Sequence, residues 1–164
     1  MAEAGNDGQT TAAGGPPNLS VVAQYVKDFS FENPGAPGTL RARNTQPSIN
    51  ISIGVQSNPV GANEYEVELK IEARAVDGQA PLFVIELVYA GVFRFTNIPA
   101  ENARPVALIE CPRLLFPFAR QIIADASRNG GFPPLLIDPV DFVAMYRQQV
   151  ENAAAAASQQ AQPN

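Results

Sequence analysis

The chain has 164 residues, of which 46% are hydrophobic and 16% are charged, and its formal net charge is −5. This length and hydrophobic content fit one folded domain, and the acidic balance argues against nucleic acid or an anionic membrane as the main partner, because both need a cationic field. The sequence has no histidine and one cysteine, so it lacks the commonest general base and cannot form an intramolecular disulfide or a thiolate metal site.

Both ends of the sequence lack a pattern that could build a core. Residues 1–18 are rich in Gly, Ala, Thr and Pro, which predicts a disordered N-terminal extension. Residues 151–164 are mostly Ala and Gln, which predicts a frayed or flexible tail. No cationic segment is followed by an apolar stretch, so no secretory signal is expected and the default location is the cytoplasm. The folded domain is predicted to span 19–150.

Four segments before residue 96 alternate between apolar and polar residues, which predicts β-strands at 19–32, 48–55, 64–75 and 82–95. Residues 56–63 predict a loop. Asp77-Gly78 predicts a tight turn that pairs the last two strands as a hairpin. Odd positions are the apolar ones, so the sheet should bury its odd face and expose its even face. Gly91 indicates a bulge or a close approach of another element.

Two helices are predicted after the strands. The first begins just before Pro117, because proline is costly inside a helix, and it ends at Asn129-Gly130. The second is expected to begin with Asp138 as N-cap and Pro139 as the first helical residue. Strands followed by helices predict an α+β fold, in which a four-stranded antiparallel sheet is covered on one face by two C-terminal helices.

The first predicted helix carries apolar residues on more than one side, whereas a two-layer monomer can bury only the side that faces the sheet. A second copy of the chain should cover the other side. The predicted oligomer interface consists of Leu115, Phe118, Ile122 and Ile123.

No catalytic constellation emerges from the sequence, and neither a metal nor a cofactor is expected. The acidic residues of the third strand, Glu64, Glu66, Glu68 and Glu72, are better interpreted as a solvated face than as a metal cluster. Cys111 is better interpreted as structural than as a nucleophile. Asp28 and Glu32 lie about 13 Å apart at strand rise, too far for paired-carboxylate catalysis. They form either an acidic recognition patch or ordinary surface.

The nine phenylalanines either fill the core or line grooves that bind extended apolar chains. The predicted groove residues are Phe31, Phe95, Phe116, Phe132 and Phe142.

Three stretches resemble the SecB family of bacterial protein-export chaperones. They are Tyr25-Val26-Lys27-Asp28-Phe29-Ser30-Phe31-Glu32-Asn33-Pro34, Cys111-Pro112-Arg113-Leu114-Leu115-Phe116-Pro117-Phe118-Ala119-Arg120 and Gly131-Phe132-Pro133-Pro134-Leu135-Leu136-Ile137-Asp138-Pro139-Val140-Asp141-Phe142. The resemblance extends over residues 19–150.

The resemblance implies an ATP-independent holdase that keeps secretory preproteins unfolded in the cytoplasm and delivers them to the SecA motor. It also implies a homotetramer, a dimer of dimers, that does not insert into the membrane. The family's motor-binding positions match Asp28, Glu32, Val84 and Glu86, all at even positions. The family's second contact, between its extreme C-terminus and SecA, has no clear counterpart in the Ala/Gln-rich tail. The alternative function is a non-catalytic oligomeric adaptor or structural protein of the same fold.

Overall fold

The computed structural model describes residues 14–160, so most of the predicted N-terminal extension and the last four residues lie outside it. The described chain contains a four-stranded antiparallel sheet in the order β1-β4-β3-β2. Its strands are β1 (Asn18–Glu32), β2 (Ser48–Gly61), β3 (Glu64–Asp77) and β4 (Ala80–Thr96). The sheet with helices after it confirms the predicted fold class. The strand order, which the sequence did not predict, places β1 and β2 at the two edges.

The second strand is longer than predicted, and the prediction of a loop at 56–63 was wrong. Strand β2 continues to Gly61 and turns into β3 through Ala62 and Asn63, the latter in a left-handed conformation (φ 58°). Pro59 pairs with Tyr65 inside this strand. A proline is tolerated there because β2 is an edge strand, so its missing N–H costs no bond to a second neighbour.

Strand β1 changes face twice. Its register against β4 shifts between Val21 and Ala23 and again between Val26 and Asp28. Each β-bulge inserts one residue and reverses the alternation. Between the bulges Tyr25 pairs with Ala90 and therefore points to the outer face. The prediction that odd residues are buried and even residues are exposed is therefore wrong between the two bulges. The bulges also explain why Lys27, at an odd position, is charged although the other odd positions of β1 are mostly apolar.

The helical part begins earlier than predicted. It consists of α1 (Ala100–Pro105), one π-helical turn (Val106–Glu110), α2 (Cys111–Asn129) and α3 (Phe142–Gln160). Pro117 lies inside α2, so the predicted start was wrong. The turn that precedes Pro117 is held by burial, since Cys111 and Leu115 are fully buried, and this offsets the lost hydrogen bond. The predicted end at Asn129 is confirmed.

The third helix begins later and ends later than predicted. Residues 138–141 are not helical, and Asp141 caps α3, because the N–H of Ala144 donates to its Oδ1 at 3.0 Å. Asp138 is therefore not the N-cap. The helix continues through the alanine run to Gln160, as the high helix propensity of alanine favours. Residues 151–159 are all exposed, and flexibility of this tail stays a prediction.

The core lies between the sheet and α2. Odd residues of β3 and β4 are buried there, among them Leu69, Ile71 and Leu87. Gly91 is in regular register with both neighbouring strands, and a Cβ on it would lie 2.9 Å from Cδ2 of Leu115. Gly91 therefore marks a close approach of α2 rather than a bulge. Cys111 is fully buried, and burial raises the pKa of its thiol to about 12, which confirms a structural cysteine.

Candidate functional site

The inner side of β2 forms the floor of an open groove. Ile49 and Ile51 point to the same side as the core but are 44% and 40% exposed, because β2 is an edge strand and nothing else in residues 14–160 covers this end of it. A cavity of about 290 Å³ opens beside Ile49. A larger recess of about 630 Å³ lies beside residues 55–59. We call the inner side of residues 49–59 with these two cavities the β2 groove.

The smaller cavity is the apolar and aromatic end of the β2 groove. Phe132 packs on Phe83 with ring centroids 4.8 Å apart, and Phe83 stacks on Phe31 at 6.0 Å. The guanidinium of Arg43 lies 5.9 Å from the Phe132 ring centroid, within cation–π range. The walls come from the chain between β1 and β2 and from the chain that follows α2, with lining residues Arg41, Arg43, Thr45, Pro47, Ile49, Ala75, Leu82, Phe83, Phe132, Pro133, Pro134 and Leu135.

The larger recess lies between β2 and the helical segment. Its apolar surface comes from Tyr65, Ala103 and Leu108, and Gln149 of α3 closes one side. Residues 49 to 59 of an extended strand span about 33 Å, so the groove follows most of the edge. An edge strand also leaves main-chain donors and acceptors free for an extended ligand.

The outer face of the sheet has two electrostatically different halves. In one half the carboxylates are neutralised within the fold. Lys27 Nζ donates to Glu66 Oε2 at 2.9 Å and also bonds Glu68, and Arg94 pairs with Glu64 at 2.7 Å. The Tyr25 hydroxyl donates to Glu66. These bonds, that of Tyr25 first, hold the pKa of Glu66 below its ordinary value, and the bond to Glu66 raises the pKa of Tyr25.

In the other half four carboxylates gather without an ion-pair partner among residues 14–160. Glu86 pairs with Ser30 on β1 and with Glu72 on β3, and Ser30 lies between Asp28 and Glu32. We call Asp28, Glu32, Glu72 and Glu86 the acidic outer face. Val84 and Val88 lie among them, half-buried. Lys70 and Arg74 of β3 pair in the register with Val88 and Val84 on the same face. The result is a mixed charged and apolar surface, net acidic, on the side of the sheet away from the β2 groove.

A third surface is apolar and lies on the opposite edge of the molecule. Leu114 and Phe118 of α2 are 43% and 52% exposed. Phe118 stacks on Tyr89 at 6.3 Å, and Val26 of β1 pairs with Tyr89 in the sheet. We call Val21, Val26, Phe29, Leu114 and Phe118 the α2–β1 strip; all five are exposed.

Comparison with known proteins decides the family. Residues 12–153 match the family described as SecB, preprotein translocase subunit SecB. The chain belongs to the SecB family. The protein-export protein SecB of Rhodopseudomonas palustris strain TIE-1 is 58% identical over 159 residues, covering 97% of this chain and 99% of that protein. SecB of Xanthobacter autotrophicus is 62% identical over 146 residues, covering 86% of this chain and 94% of that protein.

A solved structure shares the fold. It is a SecB-like chaperone of Mycobacterium tuberculosis in complex with a ChAD peptide from an antitoxin, with a TM-score of 0.62 and 13% identity, covering 74% of this chain and 90% of that one. The SecB family is a family of preprotein-export chaperones, so this chain is a chaperone of protein export and not an enzyme, as predicted. Along the described residues no helix has the length and hydropathy that a membrane span requires.

The structure brings the four predicted motor-binding residues together. Asp28, Glu32 and Glu86 are exposed on the outer face, and Val84 lies beside Glu32 in the register. Glu72 belongs to the same patch but was not predicted as part of it. Val26 of β1 is on the other face of the sheet, because of the bulge before Asp28. That SecA binds this face stays a prediction.

The five predicted groove phenylalanines separate into two groups. Phe132 lines the small cavity, and Phe31 lines a shallow pocket near the end of α2. Phe95 and Phe142 are 4% and 2% exposed, and Phe116 packs edge-on against Phe142 at 6.0 Å. These three are core residues, so their assignment to the groove is corrected. An aromatic residue near a helix end still lies in the core where a neighbouring element covers it.

The predicted oligomer residues also separate. Leu115 and Ile123 are fully buried within the chain, so they cannot contact another copy without unfolding. Phe118 is exposed and Ile122 is partly buried. The available side of α2 is therefore that of Leu114 and Phe118. The apolar pattern of the helix sequence did not distinguish the buried side from this exposed side.

Sequence reasoning also missed the groove floor. Ile49 and Ile51 alternate like core residues but are exposed, whereas Val55 on the same face of this edge strand is buried beside the helical segment. The carboxylates of Glu64, Glu66, Glu68 and Glu72 lie on the outer face of β3, where all four are half-buried rather than fully solvated. Along the described chain no three His, Cys, Asp or Glu residues are grouped to hold a metal ion.

Proposed function

We propose that this chain holds unfolded secretory preproteins in the β2 groove without nucleotide and delivers them to SecA. The observation that carries the proposal is the groove itself. It combines an exposed apolar floor on an edge strand with an aromatic cavity at one end. Such a surface suits an extended chain that offers apolar side chains and unpaired main-chain groups.

Binding in this groove is broad in specificity. Burial of apolar surface contributes about 25 cal/mol per Å² and requires no particular side chain. Main-chain hydrogen bonds to an edge strand are likewise independent of sequence. A folded protein offers neither, because its apolar residues and main-chain groups are already buried. The groove therefore distinguishes unfolded from folded chains.

The proposed contact with SecA uses the acidic outer face. It lies on the side of the sheet away from the β2 groove, so that the motor and a preprotein can be bound at the same time. Exposed Asp28, Glu32 and Glu86 provide a negative field beside half-buried valines, a combination that suits a transient partner with complementary charge. The resemblance of these positions to the family's motor-binding surface supports the same partner.

The proposed assembly is a homotetramer in the cytoplasm. The α2–β1 strip supports it, because contiguous exposed apolar surface of this kind is costly in a monomer. The strip lies on the edge opposite the β2 groove, so that assembly through it leaves the groove open.

The deciding experiment is refolding of a denatured secretory precursor without ATP. The wild-type protein at stoichiometric tetramer is expected to delay refolding and suppress aggregation. A structural or adaptor protein of the same fold would change neither. Absence of any delay in refolding or aggregation would contradict the proposed function.

A further inference from the structure

The segment Phe132–Leu135, which we call the Pro-Pro segment, forms one wall of the small cavity. Phe132 and Leu135 are buried, whereas Pro133 and Pro134 are exposed. All four residues line the cavity. The segment follows α2 after Gly130 and Gly131, and it is neither helix nor strand. Its position must therefore be fixed by contacts with other elements.

Main-chain hydrogen bonding in this segment depends on a single residue of α2. The two prolines have no N–H, so Phe132 and Leu135 provide the only main-chain donors of the segment. The N–H of Phe132 donates to the carbonyl oxygen of Ser127 at 3.0 Å. The N–H of Leu135 donates to Oγ of the same serine at 2.8 Å. Both main-chain N–H groups thus donate to Ser127, one to its carbonyl oxygen and one to its hydroxyl oxygen.

Ser127 is suited to this role by its own bonds. It is fully buried, and its hydroxyl lies 3.1 Å from the carbonyl oxygen of Ile123 and 3.0 Å from that of Ala124. The hydroxyl has one proton, which goes to these helix carbonyls, and this leaves its lone pairs directed to Leu135. An alanine would keep the helix but leave the Leu135 N–H buried without an acceptor.

We propose that Ser127 is a positioning residue that sets the width of the small cavity and thereby determines which client side chains it accepts. This inference rests on the proposed function of the β2 groove. With both donors held, Phe132 stays packed on Phe83 and the wall stays at a fixed distance from the Ile49 side. With the Leu135 bond lost, the wall moves and the cavity loses its shape selectivity.

The test compares Ser127→Ala with Ser158→Ala. Ser158 makes the same kind of bond, from its hydroxyl to the carbonyl oxygen of Ala154 at 3.0 Å, but it lies on an exposed part of α3 and bonds no other segment within residues 14–160. Two synthetic unfolded peptides that differ only in one anchor residue, Phe or Ala, are titrated against the full-length wild type and both variants. The ratio of their two dissociation constants is the readout.

Ser127→Ala is expected to reduce the preference for the Phe peptide by about fivefold, the equivalent of one hydrogen bond, while Ser158→Ala leaves it unchanged. A merely structural defect lowers the fraction of active protein and weakens the binding of both peptides by the same factor. An unchanged ratio of the two dissociation constants would therefore overturn the proposal. Ser127→Cys, whose thiol is slightly larger than the hydroxyl and a weaker hydrogen-bond acceptor, replaces Ser127→Ala if the latter does not fold.

Hydrogen exchange of the Leu135 amide separates this inference from the proposed function. Faster exchange at Leu135 in the Ser127 variant, with unchanged exchange in the core of β3, supports the positioning role. Equal Leu135 exchange in variant and wild type overturns it. A wild-type protein that binds neither peptide contradicts the proposed function, and the exchange result still decides whether Ser127 holds the wall.

Discussion

Glu86 lies directly opposite Glu72 where β4 pairs with β3, so two carboxylates occupy neighbouring sites on the outer sheet face. Like charges in this arrangement destabilise a sheet. On the same strand Glu66 and Glu68 have Lys27 as a partner, whereas Glu72 and Glu86 have no ion-pair partner within residues 14–160. The fold therefore tolerates a repulsive pair at the surface proposed to bind SecA.

Replacing Glu86 with lysine should separate stability from partner binding. The change converts the pair with Glu72 into an attractive one, so the free energy of unfolding should stay the same or rise by about 0.5 kcal/mol. Affinity for SecA should fall about tenfold at low salt, with a smaller loss at high salt. Glu32→Lys should likewise weaken SecA binding. Titration of SecA and a denaturant melt measure the two effects.

The control for charge reversal is Glu101→Lys, on the exposed surface of α1. It should leave SecA affinity and client holding unchanged. Unchanged SecA affinity in both outer-face variants, or loss of client holding together with SecA binding, would mean that the contact lies elsewhere.

Ile51→Asp should reduce client holding without unfolding the chain, because Ile51 is 40% exposed on the floor of the β2 groove. A charge there removes apolar contact and must be desolvated when a client binds, so suppression of aggregation should need about tenfold more chaperone. The control is Asn50→Asp on the neighbouring residue, whose side chain points to the outer face opposite Arg74. Equal loss of holding in both variants would argue against the groove.

Phe118→Asp should dissociate the assembly while each chain stays folded, because Phe118 is 52% exposed in the single chain. Ile123→Asp should unfold it instead, since Ile123 is fully buried and the charge would lack a partner. Val60→Asp, at an exposed apolar residue near the β2–β3 turn, is the matched control. Light scattering measures the mass. A wild type that is monomeric at micromolar concentration would contradict the proposed assembly.

Glu66→Gln should destabilise the protein in a pH-dependent way. The folded-state pKa of Glu66 is lowered by the bond from Tyr25 and then by Lys27, so its stabilising contribution is present above the ordinary value of 4.5 and is lost as pH falls through the folded-state pKa. At neutral pH the variant should lose about 1 kcal/mol of unfolding free energy. The difference in unfolding free energy between wild type and Glu66→Gln should become smaller as the pH falls below 4.5.

Urea melts of wild type and Glu66→Gln at several pH values measure this difference, and Glu101→Gln controls for removing one surface carboxylate. A difference that stays constant from about pH 7 to about pH 3 would show that the bonds to Tyr25 and Lys27 do not favour the charged form.

Much of the fold could be predicted because its signals are local. The alternation of Glu64 to Ala75 established β3 and its buried face, and Asp77-Gly78 established the hairpin with β4. The motifs around Asp28 and around Phe116-Pro117 were sufficient to indicate the family. Segments with a strong period or a strong turn signal form the same local structure largely regardless of what surrounds them.

The tertiary structure decided which residues are covered. Ile49 and Leu69 occupy equivalent positions in alternating strands, yet one is exposed and the other is fully buried, because β2 lies at the edge and β3 inside the sheet. Leu115 and Phe118 lie on one helix and differ in the same way. Periodicity shows the direction in which a side chain points, whereas burial depends on elements distant in sequence. The edge position of β2, the bulges of β1 and the Ser127 contact with the Pro-Pro segment all arise at that level.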